Sequence, residues 1–355
     1  MKVLLVGNYL NDRQESMLRF ADSLLEGLNG EGIEVELIRP QVFFGKLWSG
    51  PSGLGKWLGY LDKFLLFPSL LKRHVARSDV VHICDHSNAH YTSYLKHIPH
   101  LVTCNDLLAV RSARGEFPKN RTRGTGRVLQ RLILRGLNRA KAITCISEAT
   151  RKDVLRLTTK KLPSVSVTYM GLNFPYAPKP GNGDEPYLLH VGGNQWYKNR
   201  SGVLAIYREL RALPCSWHPK LIMVGPALKN LPEGVECRSE VSNEELCRLY
   251  SNAELLLFPS LEEGFGWPII EAQACGCRVV TTGKAPMTEV GGESAIYLGD
   301  PGDAPAAARI VLEALGESSE SRMDRITEGI ANSTRFSTEA MVRRYISIYR
   351  GLCGE

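Results

Sequence analysis

Residues 254–282, ELLLFPSLEEGFGWPIIEAQACGCRVVTT, leave this chain few ways to fold. Glu254–Phe258 has the length and flanks of a buried parallel strand, and CRVVTT begins a second. Between them stands a loop holding Glu262, Glu263, Gly264, Phe265 and Gly266. A helix follows from Pro268, whose missing N–H costs nothing at a first helical position, and it stops at Gly276. The unit is β-loop-α-β. Its loop sets backbone N–H groups at a helix N-terminus, a seat for an anion or a ring of hydroxyls. Glu263 precedes that seat and Glu271 lies about one turn into the helix.

The same alternation runs through the whole chain. KVLLVGNYL reads as a strand entering a glycine turn, Gln14–Asn29 as an amphipathic helix and IEVELIRP as the next strand, a β-α-β start that requires a parallel sheet. SDVVHICD, HLVTCNDL, KAITCIS and VSVTYM read as further strands, with a helix capped at Ser147. Asp85, His86, Asn105 and Asp106 stand at the C-terminal ends of two of them, where parallel sheets bind ligands. MGLNFPYAPKPGNGDEP reads as a linker, after which the pattern restarts: strand YLLHVGG, loop NQWYKN, a helix from about Ser201, strand LIMVG and a helix capped at Ser242. Strand SAIYLG, a helix from Pro305 and a last helix, STEAMVRRYISIYRGL, close the chain. At 355 residues two domains are expected, 1–174 and 175–336, with 337–355 returning to the first. After Gly7 come Asn8 and Tyr9, so the chain lacks the G-x-G-x-x-G dinucleotide fingerprint, which argues against a dehydrogenase or epimerase.

The charge is lopsided. Residues 1–175 hold 26 Lys and Arg against 14 Asp and Glu, and the remainder 18 against 23. Arg127, Arg131, Arg135 and Arg139 fall four apart, one stripe on a helix without acidic partners at the same spacing. This half therefore suits an anionic membrane surface or another polyanion; the stripe is equally compatible with a merely solvated face. Residues 42–74 interleave Trp48, Trp57, Tyr60, Phe64 and Phe67 with Lys46, Lys56 and Lys63. Apolar side chains at helical spacing usually serve a core, so packing on the domain's own sheet is expected there, with an interfacial segment as the alternative. Nine scattered cysteines without a C-x-x-C pair argue against a disulfide framework and a structural zinc site. No window offers about eighteen uninterrupted apolar residues and MKVLLVG is short for a leader, so a reduced, cytoplasmic protein is expected.

One carboxylate can accept both donors of a vicinal diol, so Glu263 and Glu271 suit sugar or ribose hydroxyls around the anion seat. E-E-G-F-G-x-P-x-x-E directly after a buried strand is more specific than either glutamate alone. The stretch FPSLEEGFGWPIIEAQACGCRVVTT resembles the signature of the large retaining glycosyltransferase family called glycosyl transferases, group one. HVGGNQWYKNR, LIMVGP and EVGGESAIYLGDP extend the resemblance over the second half, and DVVHICD, ITCISEATRKDV and VTYMGLN carry it more faintly over the first.

The resemblance implies two facing Rossmann-like domains (the GT-B fold), with parallel sheets, helices on both faces and a last helix crossing back. A nucleotide-diphosphate sugar would bind the second domain and the acceptor the first. Glu271 would take the donor ribose, and Glu263 with the N–H groups of Gly264, Phe265 and Gly266 the transferred sugar and nearby phosphate. Lys198, with Arg200 beside it, would meet the diphosphate, and the Gly7 turn would let the first domain approach it. No Asp-x-Asp dyad stands in a metal-binding context, so transfer is expected without a metal. The family implies front-face attack in which the leaving phosphate takes the acceptor's proton, so Glu263 orients the sugar and is not a nucleophile.

Two departures stand out: Gly193 occupies the place of a common arginine, and Asn105-Asp106 that of a common His-Asp, with His86 or His90 the nearest substitutes. The reading is thus a retaining transferase moving a hexose or deoxyhexose to a glycan, lipid-linked or small-molecule acceptor in cell-surface polysaccharide or glycoconjugate synthesis. It would be cytoplasmic or peripheral on the inner membrane face, with no nucleic acid partner and no permanently bound cofactor. The rivals are a non-catalytic sugar-nucleotide-binding subunit, which Asn105 would suit, and a glycoside hydrolase, which would leave Lys198 and the anion seat without a task.

Overall fold

The computed structural model describes residues 1–47, 54–158, 165–179, 181, 185–215 and 217–354. The chain divides into two compact units, Met1–Asn173 with Thr338–Glu355, and Phe174–Ser337.

The first unit is built on one parallel sheet of order β2-β1-β3-β4-β5-β6. Its strands are β1 (Lys2–Val6), β2 (Glu34–Ile38), β3 (Val80–Ile83), β4 (His100–Cys104), β5 (Ala142–Cys145) and β6 (Val165–Val167). Every residue of β3, β4 and β5 is buried, which is why these stretches read as mainly apolar runs, with His82, His100, Thr103 and Thr144 buried among them. The helices are α1 (Glu15–Gly30), α2 (Leu54–Leu61), α3 (Phe67–Val75), α4 (Leu108–Ala113), α5 (Thr125–Arg139) and α6 (Glu148–Leu157). A π-helical stretch, Asp62–Leu66, joins α2 to α3, and a 3-10 helix spans His86–Tyr94. Ser147 caps α6 by accepting the Thr150 N–H at 3.1 Å.

The C-terminal helix, Thr338–Cys353, packs on this unit as the resemblance implied. Its Tyr349 hydroxyl lies 2.7 Å from Nδ1 of His82 on β3, whose Nε2 lies 2.7 Å from the Thr103 hydroxyl. Burial lowers the pKa of His82 to about 3, so the ring stays neutral between two hydroxyl partners.

The segment around residues 42–74 meets the expectation of core packing only in part. Phe67, Pro68 and Leu71 enter the core, but Trp57, Leu61, Phe64, Leu65 and Leu66 are exposed. The sequence spacing is helical, yet the helix buries a narrower face than the count of apolar residues requires. Trp48 lies outside the described residues.

The second unit has a parallel sheet of order β12-β11-β10-β7-β8-β9. The strands are β7 (Tyr187–Val191), β8 (Lys220–Val224), β9 (Val235–Arg238), β10 (Leu255–Phe258), β11 (Val279–Thr282) and β12 (Ile296–Leu298). The helices are α7 (Arg200–Ala212), α8 (Asn243–Asn252), α9 (Trp267–Ala274), α10 (Met287–Gly291), α11 (Ala304–Leu315) and α12 (Ser319–Ser333). Strand β9 and helix α12 were not anticipated: VECR is a short edge strand, and α12 is mostly polar. Among the described residues no helix is long and apolar enough to cross a membrane.

Candidate active site

In the second unit the strand order reverses between β7 and β10, because the chain runs outward through β8 and β9 before returning to β7's other side. Loops leaving the carboxyl ends of strands at such a switch point part and open a crevice. Here both loops carry the expected residues. Trp196–Lys198 form a 3-10 turn after β7, ending at Asn199 in the left-handed region (φ +54°). Asn199 Nδ2 donates to the Pro259 carbonyl at 3.0 Å, and the Leu261 N–H donates to the Tyr197 carbonyl at 2.8 Å. Stitched in this way, the loops bring Lys198 Nζ to 2.7 and 2.9 Å from the two oxygens of Glu263, a buried carboxylate. Lys198 also stands 5.4 Å from the Phe258 ring centroid. Glu262 is engaged by Lys284.

Gly266, at φ +111°, turns the chain into α9, a conformation that glycine alone adopts without strain. Phe265 is buried beside it, its ring 5.6 Å from that of Phe336. On α9, Glu271 is 6% exposed and its Oε2 accepts the Tyr250 hydroxyl at 2.9 Å. Burial, then the Glu271 charge, raises the Tyr250 pKa well above its ordinary value, so the hydroxyl remains a donor.

Arg200, the first residue of α7, is 7% exposed. Its Nη1 donates to Asn194 Oδ1 at 2.6 Å and its Nη2 to Cys237 Sγ at 3.5 Å, while Nε is buried without a partner. No carboxylate forms an ion pair with it among the described residues. A buried guanidinium lacking a counter-ion is an arrangement that an anion would relieve. His190 at the end of β7 lies just below this loop. Its Nδ1–H donates to the Leu257 carbonyl at 3.0 Å, burial lowers its pKa to about 4, and Nε2 is a buried acceptor without a partner. Sequence reasoning missed Tyr250 and His190; both look like core residues until the fold sets them beside the loops.

In the first unit the order reverses between β1 and β3, and a second polar cluster sits there. Asp85 accepts Asn8 Nδ2 at 2.7 Å, Asn105 Nδ2 at 3.0 Å and the Ser87 hydroxyl. His86 Nδ1 lies 3.0 Å from Asp85 but not in line for a hydrogen bond, so that contact is one of charge. Burial would raise the Asp85 pKa, but the charge of His86 and the bonds from Ser87 and Asn8 outweigh it and hold the carboxyl far below its usual range. Burial likewise opposes protonation of His86, and Asp85 overcomes it, so the His86 pKa is raised. Asn105 spends its amide nitrogen on Asp85 and leaves Oδ1 buried without a partner. Asp106 accepts the Leu108 N–H at 2.9 Å and so serves the start of α4.

Two expectations shift. His90 packs against Phe64, its ring 4.5 Å away, and burial lowers its pKa to about 4; of the two histidines, His86 is the one in the Asp85 cluster. At Gly7 a Cβ would meet the Arg39 and Leu37 side chains at 3.1 and 3.2 Å, so packing within the unit already accounts for the glycine. Among the described residues no group of three or more His, Cys, Asp or Glu could hold a metal ion.

Comparison with known proteins matches each unit to a glycosyltransferase family model. The family model described as Glycosyl transferases group 1 matches residues 185–317, and that described as Glycosyltransferase Family 4 matches residues 17–173. O-antigen chain mannosyltransferase B of Escherichia coli is 26% identical over 292 residues, 73% of this chain and 75% of that protein. O-antigen chain mannosyltransferase RfbU of Salmonella typhimurium is 27% identical over 180 residues, 47% of this chain and 49% of that protein. The match to serotype-specific mannosyltransferase WbdA of E. coli spans only 12% of that protein, at 33% identity over 27% of this chain.

Among solved structures, sucrose-phosphate synthase from Thermosynechococcus elongatus superposes with a TM-score of 0.79 at 18% identity, covering 100% of this chain and 99% of that one. HepE of Anabaena in complex with UDP-glucose superposes at 0.69 and 15% identity, covering 98% of each chain. With one family model on each unit and the paired parallel sheets of these structures, the chain belongs to the group 1 glycosyltransferases and has the GT-B fold.

Proposed function

We propose that this glycosyltransferase moves a hexose or deoxyhexose from a nucleoside-diphosphate sugar to a glycan or lipid-linked acceptor of a cell-surface polysaccharide, with retention and without a metal. Mannose is the sugar favoured by the names of its relatives, and a UDP-sugar bound to one structural neighbour supports a nucleotide donor. The carrying observation is the constellation at the β7/β10 switch point: Lys198 on Glu263, a buried Arg200 without a counter-ion, and Glu271 held by Tyr250.

In the resting state Lys198 neutralises Glu263. An arriving diphosphate competes for Lys198 and Arg200, and the freed Glu263 carboxylate accepts sugar hydroxyls and faces the positive charge that develops at the anomeric carbon. Glu271 accepts the ribose diol. The anomeric C–O bond to phosphate breaks, the acceptor oxygen bonds to that carbon on the same face, and its proton passes to the leaving phosphate oxygen. Lys198, Arg200 and the backbone N–H groups at the start of α9 offset the charge left on the diphosphate. On the first unit, Asn105 Oδ1 and His86 are the groups offered to acceptor hydroxyls, with Asp85 orienting both. A lipid-linked acceptor makes the enzyme peripheral on the inner face of the membrane.

Thermal-shift screening against nucleoside diphosphates and their sugars tests this reading. A cognate donor at a hundred times its Kd stabilises by about 2.7 kcal/mol. Lys198→Ala and Glu271→Ala should each abolish most of that shift. No stabilisation by any nucleoside diphosphate, or hydrolysis of aryl glycosides without nucleotide, would overturn it.

A further inference from the structure

The helical run 54–75 has two faces of unlike character. The inner one closes around a single residue of the loop after β1. Tyr9 is buried there, and its hydroxyl donates to Asp62 at 2.6 Å. Asp62, fully buried, also accepts the N–H groups of Phe43, Phe44 and Gly45 at 3.2, 2.9 and 3.0 Å. A Cβ on Gly45 would fall 2.2 Å from the Tyr9 hydroxyl, and one on Gly59 3.2 Å from its ring, so Tyr9 occupies the room that side chains there would need. A second tie runs from Lys63 Nζ to Asp12 at 2.9 Å. The loop bound in this way is the one that supplies Asn8 to the Asp85 cluster.

The outer face is apolar. Trp57, Leu61 and Leu65 recur every four residues, 58%, 42% and 63% exposed, with Phe64 and Leu66 beside them. A continuous exposed stripe of this kind marks an interaction surface. Across the 3-10 helix 86–94 lies α5. Phe64 packs against His90 on one side, and Thr92 donates to the Gly136 carbonyl of α5 at 3.0 Å on the other. Along α5, Arg127, Arg131, Arg135 and Arg139 are exposed, and none forms an ion pair among the described residues. Val128 and Leu132 stand exposed between them. Large apolar side chains flanked by unpaired guanidinium groups complement a bilayer carrying anionic headgroups: the apolar stripe enters the acyl boundary and the arginines meet the phosphates.

We propose that the helical run 54–75 and α5 dock the first unit on an anionic lipid bilayer, and that Tyr9–Asp62 transmits docking to the loop after β1 that feeds the Asp85 cluster. This deepens the peripheral, lipid-linked reading above and rests on it. The segment under the stripe is the same one that holds Tyr9, so fixing the stripe fixes the loop.

The test uses the full chain and phosphatidylcholine vesicles with and without phosphatidylglycerol at about a third of the lipid, followed by co-sedimentation and hydrogen exchange. The wild type should bind only the anionic vesicles, less as salt rises. Trp57→Ser with Leu65→Ser should weaken binding by about tenfold or more, and each of Arg131→Ser and Arg135→Ser by about fivefold. On vesicles, amide protection of residues 7–14 should rise in the wild type. Tyr9→Phe and, as a second isosteric change, Asp62→Asn should bind vesicles as before but lose that rise. Equal binding to neutral vesicles, insensitivity to Trp57→Ser with Leu65→Ser, or unchanged protection of 7–14 on bound vesicles would each overturn the proposal. So would a dimer in solution that Trp57→Ser with Leu65→Ser splits, since the stripe would then belong to a second copy. Nucleoside-diphosphate thermal shifts, which report on the other unit, should be the same in all these variants. Their loss in the wild type would instead count against the donor reading.

Discussion

Replacing Tyr250 by Phe removes one oxygen from a fully buried ring and asks whether Glu271 is held for a purpose. Tyr250 donates at 2.9 Å to Glu271 Oε2, and the carboxylate is only 6% exposed, so water replaces the lost donor poorly. A hydrogen bond to a charged group contributes about 1.5–3 kcal/mol. In a domain of this size each kcal/mol moves Tm by about 2–4 °C, so a fall of roughly 3–12 °C is expected. Without this donor the carboxylate is less well ordered before the ligand arrives, which should weaken nucleoside-diphosphate binding by about 2- to 12-fold. Scanning calorimetry gives the first quantity and titration calorimetry the second. The deciding comparison is between ribo- and 2′- or 3′-deoxyribo-nucleotides: the wild type should prefer the ribose form, and Tyr250→Phe should narrow the preference toward that of Glu271→Gln. A lower Tm with an unchanged preference would show that Tyr250 supports packing alone, and the positioning argument would be wrong.

Three further outcomes follow from the same geometry. Lys198→Met leaves the Glu263 carboxylate buried and unpaired, so Tm should drop and turnover fall by about 100-fold or more; adding Glu263→Gln should restore part of the Tm but none of the turnover. Arg200→Met removes a buried cation that has no counter-ion, so calorimetry should find Tm unchanged or raised while nucleoside-diphosphate affinity falls by about tenfold. Acid should destabilise the fold through His82, His90 and His190, whose pKa values are lowered by burial to about 3, 4 and 4. Between those values and the unfolded value near 6.5 the unfolded chain binds more protons, so stability is full above about pH 6.5 and falls as pH drops through that window. His86 acts in the opposite sense: its raised pKa contributes stability present below about 6.5 and lost as pH climbs through the folded value, so thermal melts from pH 5 to 8 should show a net loss toward acid.

The periodicity of the chain alone determined that it forms parallel α/β sheets. Strands such as LLLF and VVHI are buried on both faces and therefore read as mainly apolar runs without alternation, and the caps at Ser147 and Ser242 mark their helices by side-chain chemistry that is local in sequence. The loop Glu262–Gly266 was equally legible, because a strand, a glycine turn and a helix start are short-range signals. Strand β9 was not: its pairing with β8 (Leu221 opposite Val235) joins residues that only the sheet brings together. The partners of the site residues were hidden for the same reason. Lys198 meets Glu263 across 65 residues, Tyr250 meets Glu271 across 21, and Asn8 meets Asp85 across 77. Tertiary structure also decided the fate of residues 54–75. Helical spacing states that apolar residues share faces of a helix, but not which face finds a core. Phe67 and Leu71 found one, and Trp57, Leu61 and Leu65 were left facing outward.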